Sequence, residues 1–368
     1  MKILCLSRKD IKHPKAWGAE VVIHQYLSWL ASMWHEIVQI STWFVGSEKY
    51  TSIDWVQIHR RSSIHSIYFI FWAIYLRTYR NQYDIIIDHA WGIPLFSPLY
   101  IWHKPIIFFT HHVGTKERAE YFSQWIGMWW VGTMCRWIYN TIILWLYHHK
   151  PTITVSQWTA SELIKLWFSQ VIVLPNTSNY PRVDHVGKRW LELTVVGRVV
   201  PNKQFSHAIE VIHQLHQHWL QYRLNIIWIE QDPLESKKLH DLVIHYHLAD
   251  YITFYGRLSS DELLTIWDRT QYGLMVSDKE WFGMTVLEAN SRWVPVIWYN
   301  IPWVNEVIHD SINGYLIQKN NINQIVDCII KQDNYDNLVY STIQFIQEYP
   351  TWDINTHALD TIISHETR

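Results

Sequence analysis

Residues 272–292, YGLMVSDKEWFGMTVLEANSR, combine a strand, a short loop and a helix. The first six residues are mostly apolar, as in a buried strand, and the apolar residues after Gly283 recur with helical spacing. A buried strand that passes through a loop into a helix is the repeating unit of parallel α/β sheets. Glu280 lies in the loop and Glu288 on the second helical turn, with seven residues between them. Both carboxylates can therefore face the same side and accept hydrogen bonds from hydroxyl groups.

The same unit recurs along both halves of the chain. Apolar strands alternate with helical segments, which predicts two Rossmann-like, doubly wound parallel-sheet domains of the α/β class. A stretch with two prolines, residues 175–186, predicts the boundary between them. We expect an N-terminal domain over residues 1–178, a C-terminal domain over 179–345, and a C-terminal helix within 346–368 that packs back on the first domain. Two such domains that face each other enclose a cleft at the carboxyl ends of their strands, where these folds bind ligands.

The composition is unusual at two residue types: the chain has 12 glycines and 24 tryptophans in 368 residues. Four predicted helices, over residues 20–33, 159–166, 204–218 and 285–292, are followed directly by Trp34, Trp167, Trp219 and Trp293. That position commonly has left-handed backbone geometry and favours glycine. A side chain with a Cβ atom costs about 1–2 kcal/mol there. The pattern predicts left-handed backbone at all four tryptophans.

We interpret many of these tryptophans as glycine positions. UGA codes for tryptophan in some genetic codes and for glycine in others, so translation with the wrong table would write glycines as tryptophans. The alternative is a protein that is rich in tryptophan and uses aromatic side chains for its core and for carbohydrate contacts. The codons of the coding DNA distinguish the two interpretations.

Charge and cysteine content exclude some classes of protein. The net charge is −2 at pH 7 and there is no block of basic residues, so a nucleic-acid partner is not expected. Cys5, Cys135 and Cys328 are far apart and form no CxxC pair, which indicates buried thiols in a reducing cytosol. The first residues are typical of a strand rather than of a signal peptide. We expect a cytoplasmic protein.

Two apolar stretches, residues 67–80 and 121–149, raise the question of membrane contact. The longer stretch could span a bilayer by its length, but Arg136 and Asn140 interrupt it. A buried helix, or an amphipathic helix that lies on a surface, is therefore favoured over a membrane span. Peripheral contact with the inner face of the cytoplasmic membrane is the corresponding expectation.

Two further loops follow predicted strands and carry groups suited to phosphate. In AWGAE, residues 16–20, a glycine at position 17 beside Gly18 would let backbone N–H groups at a helix start approach an anion, although an ordinary loop would look the same. In VVGRVVPNKQF, residues 195–205, Arg198 follows Gly197 at the end of a strand and Lys203 precedes a helix. Two cations so placed can clamp a diphosphate, and the alternative is ordinary surface charge.

Together these segments resemble the retaining GT-B glycosyltransferases of family 4 along nearly the whole chain. EWFGMTVLE (280–288) resembles the family's E-x7-E motif, which usually begins EGFG, and GRVVPNK (197–203) resembles its G-R-L-x-x-x-K donor-phosphate motif. Five more segments match in order: AWGAE (16–20), TVSQWTASELIKLWF (154–168), VLPNTSN (173–179), FYGRLSSDEL (254–263) and IPWVNEVI (301–308). Thr177 stands where the family's PNG turn has glycine. Six tryptophans also stand at glycine positions of the family: Trp17, Trp167, Trp281, Trp293, Trp298 and Trp303.

The resemblance implies a role for each matching residue. Arg198 and Lys203 would hold the donor diphosphate, while Glu280 would bind hydroxyls of the donor sugar and Glu288 the ribose. A histidine after the strand IIFFT would contact the sugar, and both His111 and His112 fit that position. The remaining donor-binding positions are Trp17, Gly18, Gly197, Arg257, Trp281, Phe282 and Gly283. The chain has no D-x-D triplet, which fits neutralisation of the phosphates by arginine and lysine without a metal or another cofactor.

The leading interpretation is a retaining glycosyltransferase that moves a sugar from a nucleotide-diphosphate sugar to a glycan, a lipid-linked molecule or a small molecule. A role in the synthesis of cell-envelope polysaccharide belongs to the same expectation. The alternative is a non-catalytic protein of the same fold that binds carbohydrate or nucleotide, with its tryptophans as stacking platforms for sugars.

Overall fold

A computed structural model describes residues 1–16, 18–61, 78–90, 94–113, 144–184, 189–230, 232–278, 280, 282–301, 304–331 and 334–368. The chain divides into two compact units. The first consists of Met1–Asn176 together with Pro350–Arg368, and the second of Thr177–Tyr349. Each unit has its own sheet.

The first unit contains an eight-stranded sheet. Its strands are β1 (Lys2–Ser7), β2 (Glu36–Ser41), β3 (Tyr50–Ile53), β4 (Val56–Arg60), β5 (Ile85–Ala90), β6 (Ile106–Thr110), β7 (Thr152–Thr154) and β8 (Val171–Val173). They lie in the order β3-β4-β2-β1-β5-β6-β7-β8, and every pair is parallel except β3 with β4. The central strands are apolar on both faces, and residues 3–6 of β1 and 106–109 of β6 are buried, as in a parallel sheet covered on both sides.

Strands β3 and β4 form a hairpin that the sequence analysis did not predict. Asp54 and Trp55 connect the two strands, and both have positive φ, 48° and 67°. Positive φ at both central residues is the signature of a type I′ turn, for which Asp-Gly is a favoured pair. Trp55 is 82% exposed. Its backbone thus has a conformation that suits glycine, while its side chain contributes little packing.

The second unit contains a six-stranded sheet that is parallel throughout. Its strands are β9 (Glu192–Val199), β10 (Arg223–Glu230), β11 (Ile252–Gly256), β12 (Tyr272–Met275), β13 (Val296–Tyr299) and β14 (Gly314–Ile317). They lie in the order β11-β10-β9-β12-β13-β14. The prediction of two doubly wound parallel-sheet domains is confirmed by these two sheets.

The helices of the described residues are α1 (Gly18–Ser32), α2 (Gln157–Lys165), α3 (Phe205–Gln217), α4 (Pro233–His245), α5 (Ser260–Arg269), α6 (Met284–Ser291), α7 (Ile322–Lys331), α8 (Tyr335–Glu348) and α9 (Trp352–Glu366). Four of them were predicted with bounds from the spacing of apolar residues, namely α1, α2, α3 and α6. Each begins and ends within two residues of its predicted bounds.

The last helix, α9, belongs to the first unit. At its start, the Trp352 ring packs edge-on against Tyr26 of α1, with the ring centroids 5.2 Å apart. Further along, a carboxylate oxygen of Asp360 lies 2.9 Å from Nε2 of His35. Nδ2 of Asn355 donates a hydrogen bond to the carbonyl oxygen of Pro175, at 2.7 Å. These contacts attach the end of the chain to α1 and to the last residues of the first unit's main segment.

The tryptophans that follow α1, α2, α3 and α6 have left-handed backbone, as predicted. The φ angle is 68° at Trp34, 67° at Trp167, 63° at Trp219 and 61° at Trp293. In each case the next residue donates its N–H to the carbonyl five residues back, at 3.0–3.3 Å, which is the bond of a Schellman motif. Trp34, Trp167 and Trp219 are 94%, 84% and 92% exposed, so these three indoles pack against little of the protein.

In both sheets the strand order reverses next to the first strand of the unit. Strands β2 and β5 lie on opposite sides of β1, and β10 and β12 lie on opposite sides of β9. Doubly wound sheets bind ligands at the carboxyl ends of their strands, at such a switch point. The loops that follow β1 and β5, and those that follow β9 and β12, are therefore the places at which to look for a site.

No helix in the described part of the chain is both long and apolar enough to cross a bilayer. The apolar stretches 67–80 and 121–149 lie mostly outside the described residues, as do Trp17, Trp281 and Trp303.

Candidate active site

In the second unit, the structure brings Lys203 and Glu280 together at the switch point between β9 and β12. Lys203 ends a short 3-10 turn, Pro201–Lys203, that follows β9, and Glu280 lies in the loop after β12. The Lys203 ammonium forms an ion pair with the Glu280 carboxylate. The two loops are also joined through the backbone, because the N–H of Asp278 donates to the carbonyl oxygen of Asn202 at 2.9 Å. Two residues separated by 77 positions in sequence thus share one site.

Gly197 and Arg198 lie in the last part of β9, the strand that leads into the turn of Lys203. A Cβ atom on Gly197 would lie 3.8 Å from Cε of Lys203, so the aliphatic part of Lys203 passes over the glycine. The side chains of Lys203 and Glu280 are mostly covered, with 11% and 20% of them exposed. Arg198 is half-buried on the same strand end. Positive and negative groups that solvent can reach therefore meet at the carboxyl edge of this sheet.

The loop after β12 ends at Gly283, which is the N-cap of α6. Gly283 has φ 76°, in the left-handed region where glycine is favoured, and no side chain caps the helix. A Cβ atom at this position would also lie 2.5 Å from the ring of Trp298, so any other residue would have to displace that buried indole. Phe282, beside it, is buried. A helix start without a side-chain cap is a place at which a ligand with negative charge can bind.

Glu288 lies on the second turn of α6 in a poorly solvated position. Burial raises the pKa of the Glu288 carboxyl to about 7. Burial, together with the nearby Glu288, raises the pKa of the Tyr180 hydroxyl to about 12. A carboxyl group with such a pKa can accept hydrogen bonds when ionised and donate one when protonated, and it changes between these states near neutral pH.

Arg257 is not brought next to Lys203 and Glu280. It directly follows β11, which is the edge strand of the sheet and is separated from β9 by β10. Its side chain is exposed. Its assignment to the donor site therefore stays a prediction that rests on the resemblance alone.

In the first unit, His111 and His112 directly follow β6 and both side chains are buried. Nε2 of His111 lies 2.9 Å from Nε2 of His89, at the end of β5. Nδ1 of His89 lies 2.9 Å from Oγ of Ser7, at the end of β1. Burial lowers the pKa of His111 to about 3, and burial with the neighbouring His111 lowers the pKa of His89 as well. Both imidazoles are consequently neutral at pH 7.

The loop after β1 is fixed by buried ion pairs. Arg60 donates two hydrogen bonds of 2.9 Å to the carboxylate of Asp10, and Ser41 donates a third of 2.7 Å. Burial alone would raise the pKa of Asp10, but these hydrogen bonds and the charge of Arg60 outweigh it and lower the pKa. Nζ of Lys9 donates to the carbonyl oxygen of Lys15 at 2.5 Å and lies 3.9 Å from a carboxylate oxygen of Glu20.

His89, Ser7 and the Asp10–Arg60 pair were not predicted from the sequence. The available signal was position, because Ser7 and His89 lie at the ends of predicted strands and Asp10 lies three residues beyond one. Nothing in the spacing indicated that residues 50 or more positions apart would make contact. Gly18 begins α1 after this loop, while Trp17 and Trp281 lie outside the described residues.

Comparison with known protein families identifies both halves of the chain. Residues 17–179 match the sequence model described as "Glycosyltransferase Family 4", and residues 186–334 match the one described as "Glycosyl transferases group 1". The two matches follow one another and together span most of the chain.

Curated relatives include further glycosyltransferases. An uncharacterised glycosyltransferase of Methanocaldococcus jannaschii is 27% identical over 186 residues, which is 50% of this chain and 50% of that protein. The GtfA subunit of the UDP-N-acetylglucosamine–peptide N-acetylglucosaminyltransferase of Streptococcus pneumoniae is 26% identical over 132 residues, 36% of this chain and 25% of that protein. The matched regions thus span half or less of these relatives.

Solved structures with the same fold cover nearly the whole chain. Sucrose-phosphate synthase from Thermosynechococcus elongatus has a TM-score of 0.76 at 16% identity, with 99% of this chain and 98% of that chain covered. HepE of Anabaena, solved with UDP and glucose, has a TM-score of 0.72 at 16% identity, with 99% and 100% covered. At this identity the likeness shows the fold, which is GT-B. The fold and the two family matches, taken together, make this chain a GT-B glycosyltransferase of group 1, of the family 4 type.

Proposed function

We propose that the chain transfers a sugar from a nucleotide-diphosphate sugar with retention of configuration. The observation that carries the proposal is the meeting of Lys203 and Glu280 at the β9/β12 switch point. A cation and a carboxylate side by side suit a ligand in which an anionic diphosphate is joined to a polyhydroxylated sugar. Lys203 would bind the diphosphate, and Glu280 would accept hydrogen bonds from the sugar hydroxyls.

The diphosphate clamp would also act on the reaction itself. When the bond between the sugar and the diphosphate breaks, negative charge grows on the departing phosphate oxygen. Arg198, near the end of β9, and Lys203, in the turn that follows it, would stabilise that charge more strongly in the transition state than in the bound donor. The uncapped start of α6 would add N–H donors on the same side. We assign the neutralisation of the phosphates to these groups, without a metal or another cofactor.

Further residues would bind the other parts of the donor. Glu288, whose pKa is raised to about 7, would bind the ribose hydroxyls. Of the two histidines after β6, we assign the sugar contact to His111, whose ring is hydrogen-bonded to His89. HepE binds UDP, and the name of the GtfA subunit specifies UDP-N-acetylglucosamine, so we propose a UDP-linked hexose or N-acetylhexosamine as donor. The proposed acceptor is a glycan, a lipid-linked molecule or a small molecule, and a cytoplasmic site of action with a cell-envelope product belongs to the same proposal.

The test is the release of UDP from a panel of UDP-sugars, with and without candidate acceptors. It should be run on the chain as printed and on a W17G/W281G variant, because a tryptophan at either position could occupy donor space. The K203A variant of each form is the matched control. We expect turnover of at least one donor in the glycine-bearing form and its loss in K203A. Donor binding without any turnover in both forms would instead support the non-catalytic sugar-binding protein.

A further inference from the structure

A hydrogen-bonded chain of three side chains crosses the carboxyl ends of β1, β5 and β6, which are neighbours in the first sheet. Ser7 is the last residue of β1 and pairs in register with His89 of β5. Its Oγ lies 2.9 Å from Nδ1 of His89, and Nε2 of His89 lies 2.9 Å from Nε2 of His111. All three side chains are buried, so the chain is shielded from water.

The direction of the protons in this chain follows from its first member. Oγ of Ser7 lies 2.8 Å from the carbonyl oxygen of Lys9, which can only accept. Because serine has a single hydroxyl proton, that proton satisfies the Ser7–Lys9 bond, and Nδ1 of His89 must donate to Ser7. Nε2 of the neutral His89 ring is then a bare acceptor. The contact between the two rings therefore requires a proton on Nε2 of His111.

This arrangement leaves Nδ1 of His111 as the acceptor of its ring. Within the described residues, Nδ1 of His111 makes no hydrogen bond. If both Nε2 atoms carried a proton, each N–H would face the other N–H instead of a lone pair. The contact between the two Nε2 atoms therefore holds a single proton. The burial that lowers both pKa values agrees with two neutral rings.

Neighbouring groups restrain the His111 ring and backbone. Phe109 packs against His111 with ring centroids 5.4 Å apart and against His89 at 6.0 Å. Oγ1 of Thr159 donates to the carbonyl oxygen of His111 at 3.4 Å. Thr159 is itself fixed by Ser156, the N-cap of α2, whose Oγ accepts from the Thr159 N–H at 3.1 Å. Ser156 and Thr159 belong to TVSQWTASELIKLWF (154–168), and this segment thus supports the loop that carries His111.

We infer that Ser7 and His89 are positioning residues that hold His111 with Nε2 protonated and present its Nδ1 lone pair to a hydroxyl of the donor sugar. The inference rests on the proposed function for its substrate. It also distinguishes the two histidines after β6, because the described hydrogen bonds join the ring of His111 to His89.

The arrangement of protons is tested by NMR on the whole chain labelled with ¹⁵N-histidine, without ligand. Long-range ¹H–¹⁵N spectra distinguish imidazoles protonated at Nδ1 from those protonated at Nε2, and signals are assigned by their loss in H89Q and H111Q. We expect His89 to carry its proton on Nδ1 and His111 on Nε2. The opposite pattern, or a protonated imidazolium at either position near pH 7, would overturn the inference.

The positioning role is tested by two replacements of His89 that differ in reach. The amide of glutamine extends about as far as Nε2 of histidine, so H89Q can place an oxygen where His111 needs an acceptor, while the shorter amide of H89N cannot. With UDP-glucose or UDP-N-acetylglucosamine as donor, we expect H89N to lower kcat by about 10- to 100-fold with little change in KM. H89Q should stay within about threefold of the original kcat, and both variants should melt alike.

A double-mutant cycle separates positioning from general loss of structure. H111A should remove most of the activity, and H89N/H111A should be no slower than H111A, because His89 acts through His111. Equal losses in H89N and H89Q, or additive losses in the double variant, would overturn the positioning role. If the unaltered chain and its W17G/W281G form turn over no donor, the proposed function and the substrate role fail together. The NMR result decides the proton arrangement independently of that outcome.

Discussion

Replacing the four tryptophans at the helix ends with glycine should stabilise the protein. The relief of left-handed strain is worth about 1–2 kcal/mol at each position for a residue with a Cβ atom. Glycine also gives the unfolded chain more freedom, and this offsets about 0.5–1 kcal/mol of the gain in stability. Trp34, Trp167 and Trp219 are almost fully exposed, so their replacement forfeits little packing. The expected net gain is roughly 0.5–1 kcal/mol at each of these three positions.

The two units allow the gain to be measured twice. Trp34 and Trp167 belong to the first unit, and Trp219 and Trp293 to the second. W34G/W167G should raise the free energy of unfolding of the first unit by about 1–2 kcal/mol, which for a domain of this size raises Tm by about 2–8 °C. The gain for W219G/W293G should be smaller, because Trp293 is half-buried and its replacement also removes packing. Differential scanning calorimetry of W34G/W167G, W219G/W293G and the quadruple variant would resolve the two contributions.

The matched control is Trp190, which is 60% exposed and is not among the residues with positive φ. W190G should lower stability by at least about 0.5–1 kcal/mol, since glycine there adds unfolded-state freedom and also removes the packing of a partly buried indole. If W34G/W167G melts at or below the Tm of the printed sequence, the reasoning is refuted and the tryptophans belong where they are. A gain at the helix ends with a loss at Trp190 would support glycine as the residue these backbones favour. Peptide mass spectrometry of the native protein, or UGA codons in its DNA, would then confirm it.

Four further outcomes are expected. R198A or K203A should lower kcat/KM by about 10²- to 10³-fold with an unchanged melting curve, and an unaffected rate would remove the diphosphate clamp. Addition of EDTA should leave the initial rate of UDP release unchanged, whereas loss that Mg²⁺ restores would contradict the metal-free assignment. Calorimetry should show tighter UDP-sugar binding by W17G/W281G, and equal affinity would favour genuine tryptophans. The pKa of Glu288 is raised from 4.5 to about 7, so the folded state holds its proton more tightly than the unfolded state does, and stability should fall as pH rises from about 4.5 to 7 and level off above. Urea midpoints of E288Q should not show this fall, and the same pH dependence in E288Q and the unaltered chain would exclude Glu288 as its cause.

The elements that the sequence predicted well are those whose signals are local. Buried parallel strands are apolar on both faces, so β1 and β6 stand out as continuous apolar runs. The helix ends were identifiable because the left-handed position follows the last periodic residue directly. The β3–β4 hairpin was missed because its turn reads Asp-Trp, and tryptophan conceals a pair that would otherwise indicate a type I′ turn.

The candidate site could be predicted only in part, since its geometry depends on residues far apart in the chain. Loops after strands were the right places for Lys203 and Glu280, because switch-point loops converge in any doubly wound sheet. Their direct pairing, and the contact of His89 with His111, depend on which strands are neighbours. Strand order is not encoded in spacing. For the same reason, spacing could not distinguish His111 from His112.

If Lys203 binds the diphosphate as proposed, its ion pair with Glu280 makes that binding an exchange of partners. A lysine without a carboxylate partner would bind a phosphate by giving up only water. Lys203 instead has an anion that is part of the chain, and this anion cannot diffuse away. A diphosphate that takes Lys203 sets the Glu280 carboxylate free at the moment when sugar hydroxyls come within its reach. If the donor binds as proposed, its two halves are therefore bound in a mutually dependent way.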